Sequence, residues 1–311
     1  MKADIGVPWI PVRRAGIAAI AALCGLLGAG AAQTAPDPLP RDSVNSSQAP
    51  PVPSEAPVEE QQVSVRQRVD VFVRGVTQNP GFSDSESLAR WSVPICLFAA
   101  GLPKEDLSAL SARLTQVISA AGAPLAREPC QPNFSIIVTA EPDRVLEAWY
   151  ARNKQLYGDA TPSQIRHFLD SSESRPIRVW RNIDRGRKAG TRLGHFVPSN
   201  SDAESSSFVR NAVLDFYSVF AIVDAKLVSH ATLGQQADYI AMTGLSNVDP
   251  DSDIGNAPSI LHLFVYSPTP PAGLSSWDAA FIKALYQSDQ TSRSQRHDIA
   301  ERVMNEISHP K

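Results

Sequence analysis

The chain predicts an α+β fold in which an N-terminal β-α-β unit packs against a second, mixed α/β region. Three observations predict it. KEDLSALSARLTQVISAAG repeats apolar residues at spacings of three and four, FSIIVTA and YSVFAIVDAKLV read as short apolar strands, and further helical segments follow each strand region. With 311 residues, 43% hydrophobic and 20% charged, there is enough apolar material for the packed core of one or two domains.

The first 62 residues stand apart. Arg13 and Arg14 precede the uncharged run AGIAAIAALCGLLGAGAA, which reads as a secretory signal over residues 1–32. Ala29-Gly30-Ala31 fits the small-x-small rule for cleavage, whereas Leu23 before Cys24 is too large for a lipoprotein-type site. The alternative is an uncleaved anchor, since the run from Ala15 to Ala32 is near the lower limit of about 17–25 residues for a membrane span. Residues 33–62 contain seven prolines and few large apolar side chains, the composition of a disordered or semi-extended tether.

Loss of the signal removes Lys2, Arg13, Arg14 and Asp4 and leaves 26 basic against 31 acidic side chains, a formal charge of −5. That balance argues against wholesale nucleic-acid binding. Only Cys96 and Cys130 then remain, with no C-x-x-C. An isolated pair in an exported chain predicts a disulfide.

The N-terminal α+β region spans 63–173. RVDVFVRGVT alternates Val69, Val71 and Val73 and predicts a strand. The next element is the helix of Leu107, Leu110, Leu114, Val117, Ile118 and Ala121, opened by Pro103 and Glu105 and closed by Gly122. Residues 134–140 close the unit as a strand. DRVLEAWYARNKQLYG predicts a bridging helix, and TPSQIRHFLDSS a shorter one with Thr161 as its cap and Pro162 at the first helical position.

The second region spans 174–311. RPIRVWRNI and YSVFAIVDAKLV predict strands joined by a long polar excursion, DRGRKAGTRLGHFVPSNSDAESSS, read as an exposed hairpin loop. Arg175, Arg178, Arg181, Arg185, Arg187, Lys188 and Arg192 set seven positive charges against Asp184 alone. Arg181, Arg185, Arg187, Lys188 and Arg192 are therefore candidates for docking an anionic envelope component or acidic protein. A solvated loop beside acidic neighbours is the alternative.

LGQQADYIAMTGLSN, residues 233–247, places Leu233, Ala237, Ile240, Ala241 and Gly244 on one helical face. Aligned with H-E-x-x-H-x-x-G-x-x-H, Gly244 falls in register. The histidine positions are Ala237, Ala241 and Asn247, and the glutamate position is Asp238. APSIL follows, with Leu261 nearest the expected methionine. LSSWDAAFIKALY then supplies Leu274, Ser275, Asp278, Ile282, Ala284, Leu285 and Tyr286. In this order the segments resemble the metzincin group of zinc peptidases, and an uncharacterised group of secreted proteobacterial zincin-like proteins, over roughly 175–287.

The resemblance implies a zincin-like domain that has lost its chemistry. A catalytic zinc site uses three side-chain ligands, and alanine offers none. Without a metal-polarised water Asp238 has nothing to deprotonate, and it reads as an ordinary acid at a helix surface. No metal and no cofactor are expected. His230 and His262 are the residual site candidates, because one precedes the helix and the other follows the P-S-I turn. VDPDSDIGN lacks the spacing of an EF-hand and reads as a hydrated turn. The expected function is an exported, non-catalytic binding or structural protein. The alternative is a hydrolase with a non-standard site involving Asp238 and His230.

Overall fold

The computed structural model describes residues 58–78, 87–170, 175–188, 212–265, 267 and 269–309. The signal, residues 33–57 and, of the polar excursion expected as an exposed loop, residues 189–207 with Arg192 lie outside them. The described residues from Val58 onward form one compact unit. Its architecture is α+β, with helices on both faces of a mostly parallel five-stranded sheet.

Helix α1, Val58–Thr77, replaces the expected first strand. Val65, Val69, Phe72, Val73 and Val76 recur with helical spacing. Val69 and Val73 are buried while Val71 is 43% exposed, so a period of 3.6 overrides the local valine alternation. The helix also begins inside the segment read as tether, where Glu59, Glu60, Gln61 and Gln62 are good helix formers and the two acids suit a helix N-terminus.

Short strand β1, Arg90–Trp91, is followed by β2, Leu97–Ala100. Helix α2, Lys104–Ala121, ends at Gly122 in the left-handed conformation, φ 74°, as expected of a glycine cap. Strand β3, Phe134–Thr139, runs parallel to β2. The β-α-β unit is thus real, but its first strand starts just after Cys96. Cys96 and Cys130 form a disulfide with Cα atoms 6.0 Å apart.

Helix α3, Pro142–Arg152, a short 3-10 turn and helix α4, Pro162–Leu169, follow. Thr161 caps α4 in a reciprocal capping box with Gln164. Strands β4, Ile177–Lys188, and β5, Ala212–Asp224, pair antiparallel, and the first residues of the polar excursion, Asp184 to Lys188, belong to β4 and not to a loop. On its other flank β5 pairs parallel with β3 along Val219–Asp224 and with β1 at Asp215–Phe216. The boundary between 173 and 174 therefore crosses a continuous sheet and does not separate two cores.

Alternation along β5 assigns the two faces. Val219, Ala221 and Val223 join the main core with α1, α2, helix α5 (Leu233–Leu245), helix α6 (Ser276–Gln287) and helix α7 (Gln295–Ser308). Phe220 and Ile222 point the other way, into a smaller aromatic cluster with Leu146, Tyr157, Ile165 and Phe168.

Candidate functional site

Helix α5 lies in the main core. Thr232 and Gln235 form its capping box, and ten consecutive residues from Gln236 to Leu245 are buried. Ala237 and Ala241 have no solvent exposure, which leaves no cleft over either one. The helix continues one residue past Gly244, so this glycine does not terminate it. A Cβ here would overlap the Phe134 ring, 2.9 Å from Cε1 and closer still to Cζ. Phe134 in turn stacks on Trp91, whose indole N–H donates to the Gly244 carbonyl at 2.9 Å. Gly244 is thus the point where a helix backbone rests on an aromatic pair.

Asn247 sits beyond the helix end, half-buried, beside a cavity of about 20 Å³ that Thr77, Ser87, Ser246 and Arg296 also line. Ala237, Asp238, Ala241 and Gly244 thus lie along the helix in packed core, and Asn247 stands apart from them.

Asp238 corrects the expectation of a surface acid. It is 2% exposed, and the Arg113 guanidinium of α2 grips it in bidentate fashion, Nε to Oδ1 at 2.7 Å and Nη2 to Oδ2 at 3.0 Å. That partnership raises the Arg113 pKa. Oδ2 also accepts the Leu274 N–H at 2.8 Å, while Gln235 donates to the Pro271 carbonyl at 2.6 Å. Gly273 fits because it has no Cβ, which would lie 2.6 Å from Oδ2. Both carboxylate oxygens are occupied in binding α2 and the loop before α6 to α5.

A second buried carboxylate, Asp278 of α6, holds the P-S-I turn. It accepts from Ser259 Oγ at 2.6 Å, the Ile260 N–H at 2.8 Å and the Ser275 N–H at 2.9 Å. Ser275 completes the cap by accepting from the Asp278 N–H and donating to the Pro258 carbonyl. Burial pushes the Asp278 pKa up, and these hydrogen bonds oppose the shift without cancelling it. The Ser259 and Ser275 hydroxyls are both engaged in structure, so neither is a free nucleophile.

His230 and His262 have different surroundings. His230 is exposed and meets the Phe264 ring edge-on, with centroids 5.9 Å apart, while Phe264 also meets Tyr239 at 5.0 Å. His262 lines a groove of about 560 Å³ between the 3-10 turn Ile260–Phe264 and the loop reaching Ser275. Among the described residues, no group of three His, Cys, Asp or Glu side chains could hold a metal ion.

Arg181 is not a docking residue. It donates to the Thr243 carbonyl at 2.6 Å and the Val248 carbonyl at 2.8 Å, neutralising the C-terminal end of α5, and burial lowers its pKa to about 10. Arg178 is likewise internal, paired with Asp143 at 2.6 Å. Arg185, Arg187 and Lys188 fall on the far end of β4.

No family model, no curated protein and no solved structure matches the chain. Among the described residues no helix is long and apolar enough to cross a membrane.

Proposed function

We propose that this protein is an exported binding module, built on a zincin-like frame in which the helix that would carry the metal has become a core element. The observation that carries the reading is the complete burial of Ala237 and Ala241 beside an Asp238 whose two oxygens are already bonded to Arg113 and Leu274. A peptidase needs the opposite: an open cleft, ligand lone pairs and a carboxylate free to take a proton. The element order supports the frame. Two strands, α5, the P-S-I turn and the closing helix follow one another, with Asp278 bonding the turn to that helix.

Export is supported by the basic and apolar N-terminal segment together with the Cys96–Cys130 disulfide. The test is an activity screen of the purified protein against peptides and cell-wall fragments. The binding-module reading expects no hydrolysis above blank. Turnover that Asp238→Asn abolishes while the fold is retained would contradict it.

A further inference from the structure

The sheet has two outer strands, β4 and β2, and their edges are finished differently. β4 carries Arg178, Arg181 and Asp184 and two register shifts, and Arg181 ties it to the end of α5. Charges and bulges of this kind keep a sheet edge from pairing with another chain. β2 reads LFAA, with no charge, no proline and an unbroken register against β3.

In a parallel ladder alternate residues bond to the neighbouring strand. The Cys96 carbonyl accepts from the Phe134 N–H at 3.1 Å, so Cys96, Phe98 and Ala100 bond toward β3, while Ile95, Leu97 and Ala99 turn their N–H and C=O groups outward. Ile95 is satisfied there: its N–H donates to the Pro124 carbonyl at 2.8 Å, and its carbonyl accepts from the Ala126 N–H at 2.9 Å. This cover stops at Ile95. Among the described residues nothing bonds the outward groups of Leu97 and Ala99. Between them Phe98 is 44% exposed, on the face opposite the one by which Leu97 and Ala99 pack on the main core.

We propose that this edge pairs with the same edge of a second copy of the chain, antiparallel about a two-fold axis at Phe98. In that arrangement the edge is self-complementary. Leu97 faces the second copy's Ala99, and Ala99 its Leu97, each pair exchanging N–H···O bonds in both directions, so every outward group of the two residues is satisfied. The two Phe98 side chains form the non-hydrogen-bonded pair between them, where cross-strand side chains lie closest, and each ring is shielded from water by the other.

Gly101, at φ 98°, bends the chain out of the strand before it meets residues 124–126 of the other copy. Exposed Arg127 and Glu128 follow the cover at one end of the edge, and exposed Lys104 and Glu105 follow Gly101 at the other. Antiparallel pairing therefore sets one acid and one base against one base and one acid, with no block of like charge. The contact is small, which makes the dimer a concentration-dependent one. It does not depend on what the monomer binds or on whether it is catalytic.

The test is sedimentation velocity of the purified protein from about 5 µM to about 500 µM, a span suited to weak self-association, with amide exchange followed at both ends. The dimer fraction should rise with concentration, and the Leu97 and Ala99 amides should gain protection with it. Phe98→Lys, at an exposed position, should weaken the dimer about tenfold or more by setting like charges directly opposite each other. Val71→Lys, at a similarly exposed position on α1, should leave it unchanged. Phe98→Cys under mild oxidation should give a covalent dimer joined at position 98, because the Cα separation of about 4.5 Å in such a pair lies in the disulfide range.

A monomer at every concentration, a dimer that Phe98→Lys leaves intact or that Val71→Lys weakens equally, or a Phe98→Cys protein that forms no link between the two 98 positions would overturn the proposal. Protection of the Leu97 and Ala99 amides in a dilute monomer would give the edge to another segment of the same chain and overturn it as well.

Discussion

Replacing Gly244 with alanine separates a packing glycine from a helix-ending one. In an exposed helix interior the change would gain about 1 kcal/mol, because alanine has less backbone entropy to lose. Here the new methyl group would overlap the Phe134 ring, which has no solvent exposure, and Cε1 would lie only 2.9 Å away. Phe134 cannot swing aside freely, since it is stacked on Trp91 at 6.0 Å and Trp91 is fixed by its bond to the Gly244 carbonyl. Overpacking of this kind costs about 1–3 kcal/mol.

An overlap this close with a ring that cannot move puts the cost in the upper part of that range, about 2–3 kcal/mol, so after the propensity gain a net loss of about 1–2 kcal/mol is expected, or roughly 2–8 °C in thermal midpoint for a unit of this size. Urea denaturation of Gly244→Ala, of Phe134→Leu and of the double variant gives the assay. The double variant should recover part of the loss, because the leucine leaves room for the methyl. A Gly244→Ala variant as stable as the parent, or more so, would refute the contact between α5 and Phe134.

Three bonded features and one charge cluster give further tests. Cys96→Ser with Cys130→Ser opens a loop of 34 residues and should cost about 3–4 kcal/mol, while mass spectrometry of the purified protein should find both thiols oxidised. Arg181→Met should cost about 2 kcal/mol through its two lost carbonyl bonds, checked by chemical denaturation. Serine at Arg185, Arg187 and Lys188, at the far end of β4, and at Arg192 keeps the backbone pairing with β5 and should leave the midpoint nearly unchanged, and a large loss would show that these charges are internal partners. Asp278 has a folded pKa raised above its unfolded value, so its contribution is fullest below about pH 4 and declines as pH rises through the folded value. The stability advantage of the parent over Asp278→Asn should therefore narrow with rising pH, and a widening gap would contradict the buried placement.

The elements legible in the sequence are those whose signals are local. Thr161 with Gln164 and Ser275 with Asp278 announce their helices through caps three residues apart, and Gly122 marks the end of α2 through its own left-handed backbone. Valine-rich α1 was misleading because Val69, Val71 and Val73 satisfy a two-residue period, and only burial distinguishes Val71 from its neighbours. The joining of both regions in one sheet depends on β5 pairing with β3, a contact no local pattern records.

At the candidate site the helical register of Ala237, Ala241 and Gly244 was readable, but the fate of Asp238 was not. Its partner Arg113 is 125 residues away on a helix whose sequence looks amphipathic and ordinary. The place of Arg181 is hidden for a related reason. Its charge belongs to a visible cluster, yet strand alternation turns it toward the carbonyl end of α5. The Asp278–Ser259 contact joins the APSIL and LSSWDAAFIKALY segments, and no local pattern in either shows that a carboxylate links them.

Zinc content is the most direct measurement. The protein, purified without chelator from cells grown with zinc, should carry no stoichiometric zinc by elemental analysis, and chelator should leave its thermal midpoint unchanged, because a helix α5 packed as core would link no metal-binding free energy to folding. A stoichiometric zinc ion on each chain, with a midpoint that falls when it is removed, would contradict the account of α5 as packed core.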